Sequence, residues 1–363
     1  MYIEKIKIDK FRVLEDIEIC FQAPNSATAH PETGNVVNVI AGVNGCGKTS
    51  LLEAIYDCGD GNHNGTKNAF WKGSQSIQKV FLVRATLPLM YEKSQEQELQ
   101  DLTPLESYQK ARDSSFSKKL PNNGILSAVE EWIKIFIVEQ ERKVFDADPK
   151  NRTKLAIKAF SKIFEGLIVS SQLVDLDSAL NRNRPLFDNG LGSLVTIDQL
   201  SDGEKQLYGS VIRIIIENPT DSIILIDEPE IALHPAWQQK IMQIYSRIGK
   251  NNQFIVATHS PQIIASVPYQ NRILLRKENG KIAPVHCSQP PSGLDVNSIL
   301  SEIMGAEPRP PEVLELYRQY RQFVEERKEN TPEALAVRAK LSEESDHSQF
   351  MQEMNFLIDM RDL

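Results

Sequence analysis

A glycine-rich segment near the start of the chain restricts the possible folds most strongly. It reads GVNGCGKTS from Gly42 to Ser50 and matches the pattern G-x-x-x-x-G-K-[ST]. The apolar run from Val36 to Ile40 precedes it, and the residues from Leu51 to Tyr56 have helix-forming character. A short apolar run of this kind is typical of a buried parallel strand. The segment therefore predicts an α/β fold in which a strand, a glycine turn and a helix follow one another.

The chemistry of this turn points to a bound nucleoside triphosphate. Its glycines allow backbone N–H groups to wrap the β- and γ-phosphates, and the N-terminus of the next helix adds partial positive charge. Lys48 would add a full charge at the transferred phosphate, and the Thr49 hydroxyl is placed to ligate Mg²⁺. The residues that we expect around the phosphates are Asn44, Gly45, Cys46, Gly47, Lys48, Thr49 and Ser50.

A second predicted strand ends in two adjacent acidic residues. The aliphatic run from Ser222 to Ile226 leads directly into Asp227 and Glu228. Ligands of open α/β sheets bind at the carboxyl ends of the strands. We expect Asp227 to hold Mg²⁺, usually through water, and Glu228 to polarise the attacking water as a general base. A solvated acidic turn after a buried strand is the plainer alternative, and the glycine-rich segment makes the functional interpretation the stronger one.

Two further turns could complete such a site. Ser201 precedes a predicted helix, and Glu204 three residues later completes a capping box, which is the plainer interpretation. The exposed N–H groups around Ser201 and Gly203 could also bind a γ-phosphate presented by another molecule. His259 follows another short aliphatic strand, where it could contact the γ-phosphate, although a lone histidine in that position is more often structural.

The order of these four motifs carries a family resemblance. The glycine turn, the LSDGEKQ sequence that starts at Leu200, the Asp227–Glu228 pair and His259 occur in the order of the ABC-type ATPases, which the chain resembles. The opening IKIDKFR from Ile6 and the run EPEIALHP from Glu228 are similar to those of RecF- and SMC-like ATPases. The resemblance covers about residues 1–286.

A shorter match lies near the C-terminus. The segment GLDVNSIL from Gly293 to Leu300 is similar to one found in small RecF-like ATPases of bacterial anti-phage systems, among them the Septu ATPase subunit and retron-associated ATPases. Proteins of this kind generally work with a separately encoded effector such as an HNH nuclease. The resemblance therefore implies a regulatory ATPase with an effector partner in anti-phage defence.

The family resemblance implies a specific fold and mechanism. The fold is α/β, a P-loop ABC-ATPase head whose mixed sheet is flanked by helices, with a helical insertion and a C-terminal helical appendage. Two chains would form a head-to-tail homodimer around two ATP molecules. Each ATP would contact the P-loop (residues 42–50) of one chain and Ser201 and Gly203 of the other. Lys48, Glu228 and His259 would be the catalytic residues, and ATP and Mg²⁺ the cofactors. Three alternatives stay open: a DNA-maintenance ATPase that binds DNA ends, the ATPase subunit of an ABC transporter, and an ATP-locked scaffold.

The pattern along the chain predicts four regions. Residues 1–90 form an ATPase lobe with the P-loop, opening in a β-hairpin, and Gly59 to Gly73 are predicted as a loop. Residues 91–167 are a helical insertion, because apolar residues recur there at helical spacing. Residues 168–288 form the second lobe with the remaining motifs, and 289–363 are a linker and C-terminal helices. Gln75 and Gln78 are equal candidates for the Q-loop glutamine.

Composition limits the partners and the compartment. With 41 Lys and Arg against 49 Asp and Glu, the net charge is −8, so nucleic-acid binding would need a local basic patch. The four cysteines form no C-x-x-C pair and no apolar targeting segment opens the chain, which favours a reducing cytoplasm and no membrane partner. No nuclease motif of the TOPRIM or HNH type occurs, so we expect no nucleic-acid cleavage by the chain itself.

One segment has the charge that such a patch needs. Between Arg142 and Lys162 lie seven basic residues against two aspartates. The segment could bind DNA or RNA in a strongly salt-dependent manner. A solvated helix face is the plainer interpretation, since no array of base-stacking aromatic residues accompanies it. The basic residues are Arg142, Lys143, Lys150, Arg152, Lys154, Lys158 and Lys162.

Overall fold

The computed structural model describes residues 2–59, 67–72, 80–84, 125–144, 148–177, 184–278, 280–286, 299, 304–305, 310–341 and 349–360. The chain divides into two compact units, residues 1–299 and 300–363. Among the helices that the structure describes, none combines the length and the apolar character that a membrane crossing requires.

A six-stranded mixed sheet forms the centre of the first unit. Its order is β12-β11-β3-β10-β9-β5, and all neighbours are parallel except β11 and β12, which form an antiparallel hairpin. Almost every side chain of β3, β9 and β10 is buried, as the apolar runs predict for parallel strands covered on both faces. The strands are β3 (Val36–Gly42), β5 (Val80–Arg84), β9 (Ile223–Asp227), β10 (Gln253–Thr258), β11 (Arg272–Glu278) and β12 (Lys281–His286).

The predicted N-terminal hairpin is confirmed and belongs to a second sheet. β1 (Tyr2–Phe11) pairs antiparallel with β2 (Leu14–Cys20), and its other edge pairs with β4 (Lys67–Lys72). The prediction of a loop from Gly59 to Gly73 is therefore wrong over residues 67–72. The glycine and asparagine content of that segment favours a loop, but pairing with the open edge of β1 overrides this local preference.

Helices cover the central sheet in the order that the sequence predicts. The helix α1 (Lys48–Gly59) follows β3, and α4 (Asp202–Ile216), α5 (Pro235–Tyr245) and α6 (Pro261–Ala265) alternate along the chain with β9, β10 and β11. The helix α5 ends at Tyr245, and a turn leads from it to Gly249, which has a φ of +70°.

The insertion contributes helices that pack into the first unit. α2 (Ile125–Lys143) and α3 (Pro149–Ile163) precede a third, antiparallel sheet of β6 (Gln172–Asp177), β7 (Arg184–Asp188) and β8 (Leu194–Val195). The ring of Tyr208 on α4 lies 5.5 Å from Phe160, 4.9 Å from Phe164 and 5.3 Å from Phe187. Aromatic burial therefore joins the insertion, the third sheet and α4 in one core.

The second unit is helical, as the sequence predicts. It contains α7 (Pro311–Glu325), α8 (Pro332–Leu341) and α9 (Gln349–Asp359). Its core includes Tyr320, Val324 and Met354, and the ring of Phe350 stacks on Tyr317 at 3.8 Å. Most of the predicted linker before α7 lies outside the described residues.

Candidate nucleotide site

Three neighbouring strands bring the predicted site residues to one edge of the central sheet. In the register of the sheet, Ala257 of β10 lies between Ile40 of β3 and Asp227 of β9. The P-loop follows β3, His259 follows β10, and Glu228 follows β9. The parallel topology therefore gathers motifs that are far apart in sequence at the carboxyl edge, where ligands of such sheets bind.

The glycines of the P-loop are required by its backbone shape. Gly47 has a φ of +88°, and a Cβ there would lie 2.7 Å from Leu14 Cδ2 at the start of β2. A Cβ on Gly42 would lie 2.4 Å from the carbonyl oxygen of Leu275. Asn44 and Gly45 are exposed at the tip of the loop, whereas Cys46 is buried. Ser50 follows in the first turn of α1 and is half-buried.

Lys48 is almost completely buried, with 5% of its surface exposed. Its Nζ donates to the carbonyl oxygens of Gly42 at 3.0 Å and Val43 at 3.3 Å. Burial lowers the pKa of Lys48, while the nearby acidic groups oppose this effect. The Nζ also lies 3.4 Å from His259 Nδ1, so the structure brings these two predicted catalytic side chains together.

Thr49 and Asp227 form the oxygen pair expected for Mg²⁺. Thr49 Oγ1 donates to Asp227 Oδ2 at 2.9 Å and lies 3.2 Å from Oδ1. A hydroxyl and a carboxylate are hard oxygen ligands, which Mg²⁺ prefers together with substrate phosphates and water. The donor set therefore fits this cation, for which Thr49 and Asp227 would be the protein ligands.

Glu228 and His259 also meet at this edge. His259 Nε2 lies 3.5 Å from Glu228 Oε1. Burial lowers the pKa of His259, the positive charge of Lys48 lowers it further, and Asp227 acts in the opposite direction. Glu228 has a φ of +50°, an uncommon backbone shape that turns the chain sharply after β9.

The Ser201 turn has the predicted capping box. Ser201 Oγ accepts from the backbone N–H of Glu204 and donates to Glu204 Oε2 at 2.7 Å, while Glu204 Oε1 accepts from the N–H of Ser171. Burial by itself would raise the pKa of Glu204, but hydrogen bonds from Ser201 and Ser171 outweigh it, so the pKa lies below 4.5. A Cβ on Gly203 would lie 2.7 Å from the carbonyl oxygen of Ala232.

In the part of the chain that the structure describes, no hydrogen bond joins Ser201 or Gly203 to residues 42–50. The structure thus brings together Lys48, Thr49, Asp227, Glu228 and His259, but it does not add the Ser201 turn to them. Gln75 and Gln78, the Q-loop candidates, lie outside the described residues.

Sequence reasoning missed the role of Glu230. The backbone N–H of His259 donates to Glu230 Oε1 at 2.5 Å. Burial raises the pKa of Glu230, and hydrogen bonds from His259 and Thr258 oppose this. The run EPEIALHP contained the residue, but spacing alone gave no sign that its side chain returns to the end of β10. By contrast, His234 in the same run caps α5 by accepting from the N–H of Ala236.

The basic segment lies on two helices of the insertion. Lys154, Lys158 and Lys162 are exposed on α3 at intervals of one turn, and Arg142 and Lys143 are exposed at the end of α2. The side chain of Lys150 lies outside the described residues, and Arg152 is half-buried.

Comparison with family models identifies ATPase domains along most of the first unit. A model described as "AAA ATPase domain" matches residues 1–100. A second, described as "AAA domain, putative AbiEii toxin, Type IV TA system", matches residues 90–265. Together the two models cover the described P-loop, Asp227, Glu228 and His259.

Several curated proteins are similar in sequence. The Retron Ec83 probable ATPase of Escherichia coli is 32% identical over 41% of this chain, and the chain spans 29% of its length. The Septu protein PtuA of Bacillus thuringiensis is 26% identical over 81% of this chain and 85% of its own length. Among solved structures, the SMC head domain of Thermotoga maritima aligns with a TM-score of 0.41 at 14% identity, over 80% of this chain and all of that one.

The chain spans about a third or less of the retron ATPases it matches, and most of PtuA from Bacillus thuringiensis. Residues 1–265 thus match models of AAA ATPase domains, and the chain is similar in sequence to the retron ATPases and to Septu PtuA.

Proposed function

We propose that this protein binds ATP with Mg²⁺ at the carboxyl edge of the central sheet and hydrolyses it. The observation that carries the proposal is the hydrogen bond between Thr49 and Asp227, with the Lys48 Nζ and Glu228 both within 3.5 Å of the His259 ring. These residues lie at or just after the ends of three strands, β3, β9 and β10. Packing of the sheet alone does not require polar side chains at these three positions. Their chemistry suits phosphoryl transfer to water.

Each side chain has a distinct role in this proposal. Lys48 and the N–H groups of the P-loop neutralise the phosphates, and Glu228 accepts a proton from the attacking water. His259 is held neutral by burial and contacts the γ-phosphate through a ring nitrogen. Mg²⁺ bound to Thr49 and Asp227 would supply positive charge at the β- and γ-phosphates.

The Ser201 turn supports a homodimer of the ATPase. The N–H groups at the start of α4 attract anions, yet among the described residues no hydrogen bond joins Ser201 or Gly203 to the P-loop of the same chain. In a head-to-tail pair, Ser201 and Gly203 of one protomer would meet the γ-phosphate held by the other. ATP would then hold the two protomers together, and hydrolysis would release them.

Homology to Septu PtuA and to retron ATPases supports a role in anti-phage defence. We propose that the ATPase regulates a separately encoded effector, such as an HNH nuclease. The core around Tyr208 joins α4 to the insertion and the third sheet, so a change at the Ser201 turn would reach these outer elements. That connection offers a route from nucleotide state to partner.

ATP turnover and association state test this proposal together. Purified wild type should hydrolyse ATP and dimerise when ATP is added, whereas Glu228→Gln should dimerise with ATP but lose turnover. Lys48→Ala should do neither, and Lys240→Ala, on an exposed position of α5, should match wild type. Equal inactivity of wild type and Glu228→Gln, with dimerisation intact, would favour the ATP-locked scaffold. Dimerisation that ignores ATP would contradict the shared site.

Nucleic-acid binding is a second candidate function, favoured by the lysine row on α3. Lys154, Lys158 and Lys162 are all exposed and lie on one side of the helix. Such a row can follow a phosphate backbone. Replacing all three with Ala should weaken binding to duplex DNA and reduce its salt dependence, while ATP turnover without DNA stays unchanged. Equal binding by the triple variant would rule this surface out.

A further inference from the structure

The turn after β9 carries a second glutamate that contacts the neighbouring strand. Glu230 lies two residues beyond Glu228, and its Oε1 accepts the backbone N–H of His259 at 2.5 Å. The N–H of Glu228 donates to the carbonyl oxygen of Ala257 at 2.8 Å. These two hydrogen bonds run in opposite directions between the ends of β9 and β10. Together they hold the end of β9 in a defined position relative to the end of β10.

The His259 backbone depends on a side-chain acceptor. β10 ends at Thr258, so the N–H of His259 lies beyond the strand pairing of the sheet. A backbone donor that loses water needs an acceptor from the protein. Glu230 supplies it, and in the next residue the N–H of Ser260 donates to Thr258 Oγ1. The loop that carries the histidine is therefore held by side chains rather than by the sheet.

The same turn is held from its far side. The N–H of Leu233 donates to the carbonyl oxygen of Glu230 at 2.9 Å, and Gln238 Nε2 donates to the carbonyl oxygen of Leu233. Ser260 Oγ in turn donates to Gln238 Oε1 at 2.6 Å. The turn and the histidine loop thus form a closed ring of hydrogen bonds, with the Glu230 carboxylate at its junction.

We propose that Glu230 is a positioning residue for hydrolysis, which holds the His259 loop so that the imidazole lies beside Glu228 and the γ-phosphate. This inference rests on the proposed ATPase activity. Glu230 would act through the backbone N–H of His259, which donates to its Oε1. Its loss should slow the chemical step while nucleotide still binds through the P-loop.

A double-mutant cycle with His259 tests the proposal. Glu230→Ala should lower kcat about 10- to 100-fold, the effect expected of a misplaced catalytic group, and leave the affinity for a fluorescent ATP analogue within about twofold. In the His259→Ala background, Glu230→Ala should cause little further loss, since its effect passes through the histidine. Glu230→Gln keeps an acceptor oxygen and should restore most of the rate.

A buried polar residue at the opposite end of β10 provides a matched control. Gln253 is fully buried and bonds the backbone of Ile3 and Gln22. Gln253→Ala should lower the urea midpoint as much as Glu230→Ala does, yet leave kcat near the wild-type value. This comparison separates a general loss of stability from a loss of positioning.

The failing outcomes are distinct for the two proposals. If the wild-type protein hydrolyses no ATP, the proposed function itself is contradicted. An active wild type would overturn the positioning role in any of three ways: full activity of Glu230→Ala, an equal additional loss in the His259→Ala background, or a Glu230→Gln variant as slow as Glu230→Ala.

Discussion

The Thr49 hydroxyl donates a hydrogen bond to Asp227 across 178 residues of sequence, at 2.9 Å. The two residues belong to different elements, the start of α1 and the end of β9. The helix α1 does not need Asp227 in order to form, and the strand β9 does not need Thr49. Their contact brings the start of α1 and the end of β9 together at the candidate site.

Removal of the Thr49 hydroxyl tests the Mg²⁺ assignment. Thr49→Ala should raise the Mg²⁺ concentration for half-maximal ATP hydrolysis at least about tenfold, because one oxygen ligand is lost. Thr49→Ser keeps the hydroxyl and should stay within about threefold of wild type by the same principle. A Mg²⁺ titration of the steady-state rate measures both. An unchanged titration curve for Thr49→Ala would show that this hydroxyl binds no metal.

A methyl group on Gly203 tests the Ser201 turn. The added Cβ would lie 2.7 Å from the carbonyl oxygen of Ala232, which belongs to backbone and cannot rotate away. Such overpacking costs about 1–3 kcal/mol, so ATP-dependent dimerisation should weaken about tenfold or more. Sedimentation with ATP measures this effect.

Gly209, also on α4, provides the control for that substitution. A Cβ on Gly209 would lie 2.9 Å from Val129 Cγ2, a side-chain atom that can shift. Gly209→Ala should therefore dimerise with ATP like wild type. If Gly203→Ala also dimerises normally, the turn does not take part in the interface.

The capping box predicts a defined dependence of stability on pH. The pKa of Glu204 is lower in the folded chain than its ordinary value of 4.5. Its charged form therefore stabilises the fold above pH 4.5, and this contribution is lost as the pH falls through the folded-state pKa. Glu204→Gln should reduce stability by about 1 kcal/mol at neutral pH.

Urea unfolding at several pH values measures this contribution. The difference between wild type and Glu204→Gln should shrink as the pH falls from 4.5 through the lower folded-state pKa, because below that pKa both proteins carry a neutral side chain. A difference that stays constant over this range would contradict the assigned hydrogen bonds from Ser201 and Ser171.

Tyr208 should be among the most sensitive positions for stability. Its ring packs on three phenylalanines, and its hydroxyl donates to the carbonyl oxygen of Ser171 at 2.5 Å. Tyr208→Ala should cost about 3–5 kcal/mol by leaving a cavity. Tyr208→Phe keeps the ring and should cost about 1 kcal/mol. Equal losses for the two variants would assign the effect to the hydroxyl alone.

The sequence predicts which residues meet at the candidate site more completely than it predicts the pairing of the strands. Lys48, Thr49, Asp227, Glu228 and His259 were identified because strand ends and glycine turns carry local signals that parallel topology turns into proximity. β4 was missed because its strand character comes from pairing with β1, a contact with no local signature. Glu230 was missed for a similar reason: its partner is a backbone N–H on another strand, which residue type and spacing do not indicate.

The ring of Tyr208 also limits how this protein can be shortened. Phe160 and Phe164 belong to the insertion, and Phe187 belongs to the third sheet. Deleting either region would remove side chains that pack on α4 and would expose its apolar surface. A minimal head that retained every nucleotide-binding residue would lose the support of the Ser201 turn. Variation in length among related proteins should therefore be found in the loops that join these elements, and the aromatic side chains should persist.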